Sequence, residues 1–232
     1  MADTQSLPLY VQISEMLIRD IQAGHLLDGE RLPPEREMAA ELGISVGTLR
    51  KALTELTQKG MLQRLQGSGN YVRHRASADS VYSFFRLELA SGGGLPTAQV
   101  LSVKTLPKPD YLPAFGQGAL AHRIRRLRHL GGQPAALEEI WLDASYKATL
   151  LAEELSESLY LFYKTKLGLW IQRVEDRIGV GRVPDWPEAA ENGFRGAMGL
   201  VDRISWDQSN QSAEVSRTWY DSEHIRYVSR LK

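Results

Sequence analysis

The chain has 232 residues, 43% of them hydrophobic, with 28 basic and 28 acidic side chains, no cysteine and a formal net charge of zero. That length allows two small domains or one large one, and the apolar fraction suffices for packed cores, which argues against disorder. Disulfides and thiolate metal sites are excluded; no apolar run is long enough for a membrane span, and MADTQSLPLY lacks the apolar core of a signal peptide, so a soluble cytoplasmic protein is expected.

The chain opens with apolar residues at Tyr10, Ile13, Leu17 and Ile21, stepping by three or four, which predicts an amphipathic helix stopped at Gly24. Gly29 and Pro33-Pro34 punctuate the next segment, and Pro34 is tolerated in a first helical turn. Met38, Ala39 and Leu42 mark the buried side of a second helix. Gly43-Ile44-Ser45 is then a tight turn, with Ser45 placed to cap a third helix running to about Gln58. In that helix Leu49, Ala52, Leu53 and Leu56 face inward, leaving Thr48, Arg50 and Lys51 outside. Helix, turn and helix with a polar, basic outer face suit the DNA major groove. The strands Met61–Leu65 and Asn70–Arg73, around Gln66-Gly67-Ser68-Gly69, read as a hairpin, so the unit is a winged helix-turn-helix. Hairpin glycines need no function beyond positive φ, but a bare tip at Gly67 can also approach DNA closely.

Net neutrality hides a segregation of charge. Residues 1–43 carry three arginines against eight acids, whereas residues 44–75 carry six basic residues against Glu55 alone. Phosphate attraction needs a local basic patch, not a basic protein.

Arg75–Ser80 is small and polar and reads as a linker, giving domains at 1–75 and 84–232 joined by 76–83. Beyond it, strands are expected at Ala98–Leu106, Ala119–Leu130, Ala135–Leu142, Ile171–Val180, Leu200–Asp207 and Ala213–Tyr220. Helices are expected at Ser145–Leu155, Leu159–Lys166 and Trp186–Phe194. Turn signals at Gly131-Gly132 and Ser209-Asn210 favour hairpins, hence an α+β domain with one mixed, mostly antiparallel sheet.

Several polar residues alternate onto faces that should be apolar. Arg126 and Arg128 share a face with Ile124, and Glu138 with Ala136, Ile140 and Leu142. A three-residue turn at Gly131–Gln133 sets Arg126 opposite Glu138. Arg173 shares a face with Ile171 and Glu175, and Glu214, Ser216, Thr218 and Tyr220 alternate on the last strand. One such pair reads as a structural ion pair. A set drawn from four strands reads equally as a pocket for a small charged ligand. Glu139 reads as a solvated neighbour of Glu138.

The ordered segments PLYVQI, LPPERE, ELGIS-x-x-TLRKAL and QGSGNYV resemble the N-terminal domain of GntR-type bacterial repressors over the first third of the chain. The resemblance implies DNA contacts from Arg36, Ser45, Thr48, Arg50 and Gly67, with Arg50 suited to a bidentate contact to guanine and Ser45 and Thr48 to phosphate; Lys51, on the same outer face of the third helix, is expected to join them. Val46 and Gly47 depart from the family's polar or basic residues there, which leaves fewer base-edge hydrogen bonds, and Pro34 replaces its usual capping serine. The later segments RIRRLRHLGGQPAALEEIWL, LGLWIQRVEDRI and SAEVSRTWYDSEHIRY resemble the UTRA effector domain of the HutC-type branch, which implies a chorismate-lyase-like fold. Ligand contacts carried over by that resemblance are Arg126, Arg128, Glu138, Arg173, Glu214 and Tyr220, with Ser83 to Arg86 as an accessory anion loop.

The expected function is a repressor, released from a pseudo-palindromic operator in double-stranded DNA by a small anionic metabolite and acting as a homodimer. No cofactor, metal or catalytic residue is expected, since the five histidines are scattered and no Gly-rich cofactor loop is present. The alternatives are an enzyme acting on a small carboxylate through the lyase-like domain, and a winged helix used only for protein contacts.

Overall fold

The structure is a computed structural model describing residues 7–73, 82 and 84–230. It divides into two compact units, one formed by Leu7–Phe85 with Gly93–Leu95, the other by Arg86–Gly92 with Pro96–Val228. The linker assignment at Arg75–Ser80, and Ser83 of the accessory loop, lie outside the described residues.

The first unit holds α1 (Leu9–Ala23), α2 (Glu35–Glu41), α3 (Val46–Gln58), β1 (Leu62–Leu65) and β2 (Gly69–Val72). Ile13, Leu17, Ile18 and Ile21 of α1 pack with Met38, Ala39, Leu49, Ala52, Leu53 and Leu56 into one core, joined by Met61, Leu62 and Val72 of the hairpin. Gly24 ends α1 at φ 77°, in the left-handed region where glycine costs nothing. Pro34 leaves α2 without a side-chain cap, and Glu35 and Glu37 in the first turn compensate by facing the positive end of the helix dipole. The segment before α2 completes the wing: Leu32 donates its N–H to the Asn70 carbonyl at 2.9 Å, and Arg31 bridges Tyr71 in antiparallel fashion. Two buried polar contacts tie α1 to α3 and its end, Ser14 donating to Glu55 (2.8 Å) and Lys59 pairing with the fully buried Glu15 (2.9 Å).

The second unit is built on β4 (Pro96–Pro107), β5 (Leu120–Leu130), β6 (Gln133–Asp143), β7 (Ile171–Arg182), β8 (Ala197–Asp207) and β9 (Ser212–Tyr220). They form one sheet in the order β4-β5-β6-β9-β8-β7, and every pairing is antiparallel rather than mixed. β3 (Leu87–Leu89) and β10 (Ile225–Tyr227) make a separate two-stranded sheet that the alternation pattern did not reveal, because three-residue strands carry almost no periodicity. α4 (Leu159–Phe162) continues as a wider turn through Leu167, and α5 (Pro187–Glu191) is shorter than expected. The helix expected over Ser145–Leu155 is absent; short 3₁₀ turns at Ala144–Tyr146 and Ala152–Glu154 stand in its place.

The two sheet faces differ. On one, Leu127, Leu137 and Trp219 pack with Trp186, Ala189 and Phe194 of the α5 region. The other carries the polar residues singled out from the sequence. Register decides which residue lies where. The β5–β6 turn is two residues, Gly131-Gly132, with Leu130 opposite Gln133, and a bulge at Ala135 then shifts the pairing by one. Arg126 therefore does face Glu138, though by a bulge rather than a longer turn.

Candidate nucleic-acid interface and ligand site

In the first unit Ser45 caps α3, its hydroxyl accepting from the Thr48 N–H at 3.1 Å and lying 2.8 Å from the Thr48 hydroxyl. The cap fixes where α3 begins, and so which residues face out. Ser45, Arg50 and Lys51 are exposed and Thr48 is half-buried, while Leu49 is fully buried behind them. An open groove of about 830 Å³ runs between the start of α2 and the wing, lined among others by Arg31, Arg36, Arg64, Gly67 and Asn70. Gly67 sits at φ 74° with open space where a Cβ would be, so the wing tip is bare. The six residues expected at DNA thus fall on the outer face of α3, the start of α2 and the wing tip. Sequence reasoning missed Arg31 and Arg64 on the groove wall and the role of Glu35. The Glu35 carboxylate accepts from Arg50 Nε at 2.6 Å and lies 3.9 Å from Arg64.

The second site lies on the polar sheet face. Arg126 (3% exposed) and Arg128 (6%) share the single carboxylate of Glu138 (6%), at 2.6 Å and 3.0 Å. Both guanidiniums also donate to the backbone carbonyl of Glu157, at 3.2 and 3.3 Å, so the segment leading into α4 closes over them. Burial alone would raise the Glu138 pKa; the two arginines outweigh it and hold the carboxyl below its ordinary range. The Arg126 pKa is depressed, by burial first and by Arg128 second. Two guanidiniums thus converge on this one carboxylate. Arg126 Nε is moreover buried with no hydrogen-bond partner among the described residues.

Beside it, Glu214 accepts from Tyr163 (2.7 Å), Ser205 (3.1 Å) and Tyr160 (3.2 Å). Its pKa is nevertheless raised, because full burial outweighs these donors. The Tyr163 hydroxyl is pushed well above its ordinary value by burial and by Glu214. Further along the face Arg203 grips Asp176 with two hydrogen bonds, of 2.6 and 2.7 Å, and Tyr227 of β10 donates to the same carboxylate at 2.6 Å. Tyr220 is buried on this face and covers Gly199, where any Cβ would overlap the ring.

Five of the six expected ligand residues share this face: Arg126, Arg128, Glu138, Glu214 and Tyr220. Arg173 does not. A bulge at Gln172 breaks its alternation with Ile171, and Arg173 pairs with Trp206 on the opposite face, its guanidinium 3.6 Å from that ring centre. Glu139 is likewise no solvated neighbour; it is 6% exposed on that opposite face, accepting from Arg125 (2.8 Å) and Trp141 (3.1 Å). Missed were Tyr160, Tyr163, Asp176, Arg203 and Ser205. The alternation of Arg203 and Ser205 with Val201 on β8 was a readable signal; the tyrosines come from a helix and gave none. At the surface Asp221, Glu223 and His224 bring ligand atoms within 4.8 Å of one another, with the His224 ring bonded to Asp221.

Residues 9–72 match the family model for bacterial regulatory proteins of the gntR family, and residues 91–226 match the UTRA domain. The HTH-type transcriptional regulator SmoD of Agrobacterium fabrum is 58% identical over 228 residues, spanning 98% of this chain and 97% of its own. The mannosyl-D-glycerate transport/metabolism system repressor MngR of Escherichia coli is 31% identical over 179 residues, 74% of this chain and 73% of its own. The crystal structure of the possible transcriptional regulator YydK from Bacillus subtilis superposes with a TM-score of 0.55 at 22% identity, covering 97% of this chain and all of that one, which shows the shared fold.

Proposed function

The chain belongs to the GntR family of bacterial regulatory proteins, in the HutC-like branch that carries a UTRA domain, and from that premise we propose a repressor freed from its operator by a small anionic metabolite. DNA-binding transcriptional regulation is what the family membership establishes. The anionic character of the effector is our reading, and one observation carries it: Arg126 and Arg128 converge on a single buried carboxylate, and Arg126 Nε is buried with no hydrogen-bond partner among the described residues. The name of the Escherichia coli relative, which refers to an anionic glycoside, supports the same class.

The assigned residues follow from this reading. Arg36, Ser45, Thr48, Arg50, Lys51 and Gly67 contact the operator. Arg126, Arg128, Glu138, Glu214 and Tyr220 hold the effector, and Tyr160 and Arg203 join them. Entry requires the segment at Glu157 to lift from the two guanidiniums, and a ligand that binds the lifted state better shifts the population toward it. The division into residues 1–75, a linker at 76–83 and residues 84–232 belongs to the same reading, supported by the matched ranges 9–72 and 91–226. So do a homodimer on a two-fold operator, a cytoplasmic location, and the absence of an activity of its own. Among the described residues no helix is long and apolar enough to cross a membrane.

The test is operator binding by fluorescence anisotropy against a panel of sugar phosphates, glycosyl carboxylates and neutral sugars. Release by an anion, lost in Arg126→Met and with neutral analogues inert, is expected. Release by a neutral sugar alone, or undiminished release in Arg126→Met, refutes the anionic assignment.

A further inference from the structure

The sheet face opposite the arginine cluster carries a second polar feature. Arg125 of β5 stands in register with Glu139 of β6, Glu139 with Arg217 of β9, Arg217 with Asp202 of β8, and Asp202 with Arg177 of β7. The signs alternate along the whole row. The neighbouring row on the same face is apolar: Trp141, Val215 and Ile204 stand in register, and Val215 packs with Phe115, with Leu112 against them. The α5 region covers the β5 end, where the Arg125 guanidinium lies 4.3 Å from the Trp186 ring centre. The β7 end opens instead into a cleft of about 170 Å³. Tyr111, Leu112 and Pro113 form one wall of it. Ile204 and Val215 contribute its apolar lining, and Arg217, Asp202, Glu175 and Arg177 its charged lining.

Alternating charges across strands can serve the sheet alone. They do not account for an apolar recess set beside them, nor for how loosely they are paired. Arg217 donates to Asp202 through Nε at 3.0 Å, and Arg177 to Glu175 at 3.0 Å, so each carboxylate accepts through a single oxygen. The side chains are 36% and 45% exposed in the first pair and 75% and 44% in the second. Pairs this open add little to stability, so their charges can turn to a ligand at small cost. The Arg217 guanidinium also lies 5.3 Å from the Tyr111 ring centre, which holds it at the cleft wall.

We propose that this cleft binds a small apolar α-amino acid. The ligand's carboxylate meets Arg217 and Arg177, its ammonium group meets Asp202 and Glu175, and its side chain lies on Ile204, Val215 and Leu112. Both signs are needed, because a ligand with one charge strips water from the lining and leaves the other sign unanswered. At the packing density of protein interiors, about 0.75, the cleft holds roughly 125 Å³ of ligand, the size of valine or leucine. β8 and β9 carry this cleft on one face and Arg203 and Glu214 on the other, so the two sites share their strands.

Isothermal titration calorimetry of the full chain with L-valine, L-leucine, L-isoleucine and L-methionine is the test. It needs neither operator nor effector, so this inference and the anionic effector can fail separately. At least one of the four is expected to bind at one site per chain. Its one-charge analogues, for leucine 4-methylpentanoate and 3-methylbutylamine, are expected to bind about tenfold or more weakly, the loss of one charged hydrogen bond. Arg217→Gln and Asp202→Asn are expected to weaken binding by the same factor, with far-UV circular dichroism verifying that both stay folded. The analogues, titrated into the wild-type chain, keep the test decisive if either variant does not fold. No binding by any of the four amino acids overturns the proposal. Equal binding of a one-charge analogue overturns it too, as does undiminished binding in either folded variant, which would place the amino acid elsewhere.

Discussion

Replacing Glu138 with Gln removes one negative charge and almost no volume. The residue sits between two guanidiniums that are 3% and 6% exposed, at 2.6 and 3.0 Å. Arginine cannot escape by losing its proton, so both cations stay charged and lose their shared counter-ion. Breaking a buried pair by removing one partner costs about 3–5 kcal/mol, because the remaining charge is left uncompensated. For a unit of this size each kcal/mol lowers the melting temperature by roughly 2–4 °C, so the loss is on the order of 10 °C. Differential scanning calorimetry of the full chain is the assay, with the helical unit's transition as an internal control that should not move. The cost carries a pH signature. The Glu138 pKa is lowered in the fold, so its contribution is present above the unfolded carboxylate range and lost as pH falls through the folded value. The gap between Glu138→Gln and wild type therefore closes in acid. Sulfate should restore part of the variant's stability, since an anion bound only by the folded state raises its melting point. A loss below about 1 kcal/mol at neutral pH, in the range of an exposed pair, would refute the argument that these buried charges depend on the Glu138 carboxylate.

Glu214→Gln should behave in the opposite sense. Burial raises the Glu214 pKa, so the wild-type fold holds a proton the unfolded chain has lost, and stability declines as pH rises from the unfolded carboxylate range to the folded value. The variant should lack that decline in urea titrations, and an identical slope would rule the mechanism out. Arg50→Ala should weaken operator binding by roughly 1–3 kcal/mol if it reads a base, and hardly at all if the helix serves only protein contacts. Glu35→Gln should tighten binding to operator and random DNA alike, because it frees Arg50 and removes a negative charge from the groove wall; unchanged affinity at low salt would show that Glu35 does not compete for Arg50. Gly199→Ala should displace the Tyr220 ring, which occupies the space a methyl needs, and weaken effector-induced release more than it weakens operator binding itself; equal losses in both would mean that Tyr220 serves only the fold.

The first unit was legible nearly to the residue because its signals are local. Ser45 caps the helix just after it, Gly24 ends the helix before it, and the apolar steps from Leu49 to Leu56 fix the buried side of α3 without reference to anything distant. The salt bridge from Glu35 to Arg50 spans 15 residues and two helices, and no local pattern encodes it. In the second unit alternation told which residues of one strand share a face, but not which face of the sheet that is. Arg126, Glu138 and Glu214 were joined correctly because antiparallel pairing links β5 to β6, and β6 to β9, register by register. Arg173 was joined by alternation alone. The sheet puts its strand at the far edge and its side chain on the other side, where Trp206 covers it.

Bulges set membership of the site more than residue type does. Without the extra residue at Ala135, Arg126 would face Leu137, and Glu138 would move to the face packed by Trp186 and Trp219. A carboxylate there would face Arg125, while Arg126 and Arg128 would face Leu137 and Ala135 with Glu138 gone from their side. The single-residue slip would thus part Glu138 from both buried guanidiniums. The Pro134-Ala135-Ala136 run tolerates the insertion: Pro134 forgoes a backbone donor beside the turn, and the two alanines stay fully buried without demanding volume on either face. Those small residues beside the β5–β6 turn therefore help to set the candidate ligand site as much as the arginines do, though none of them carries a charge.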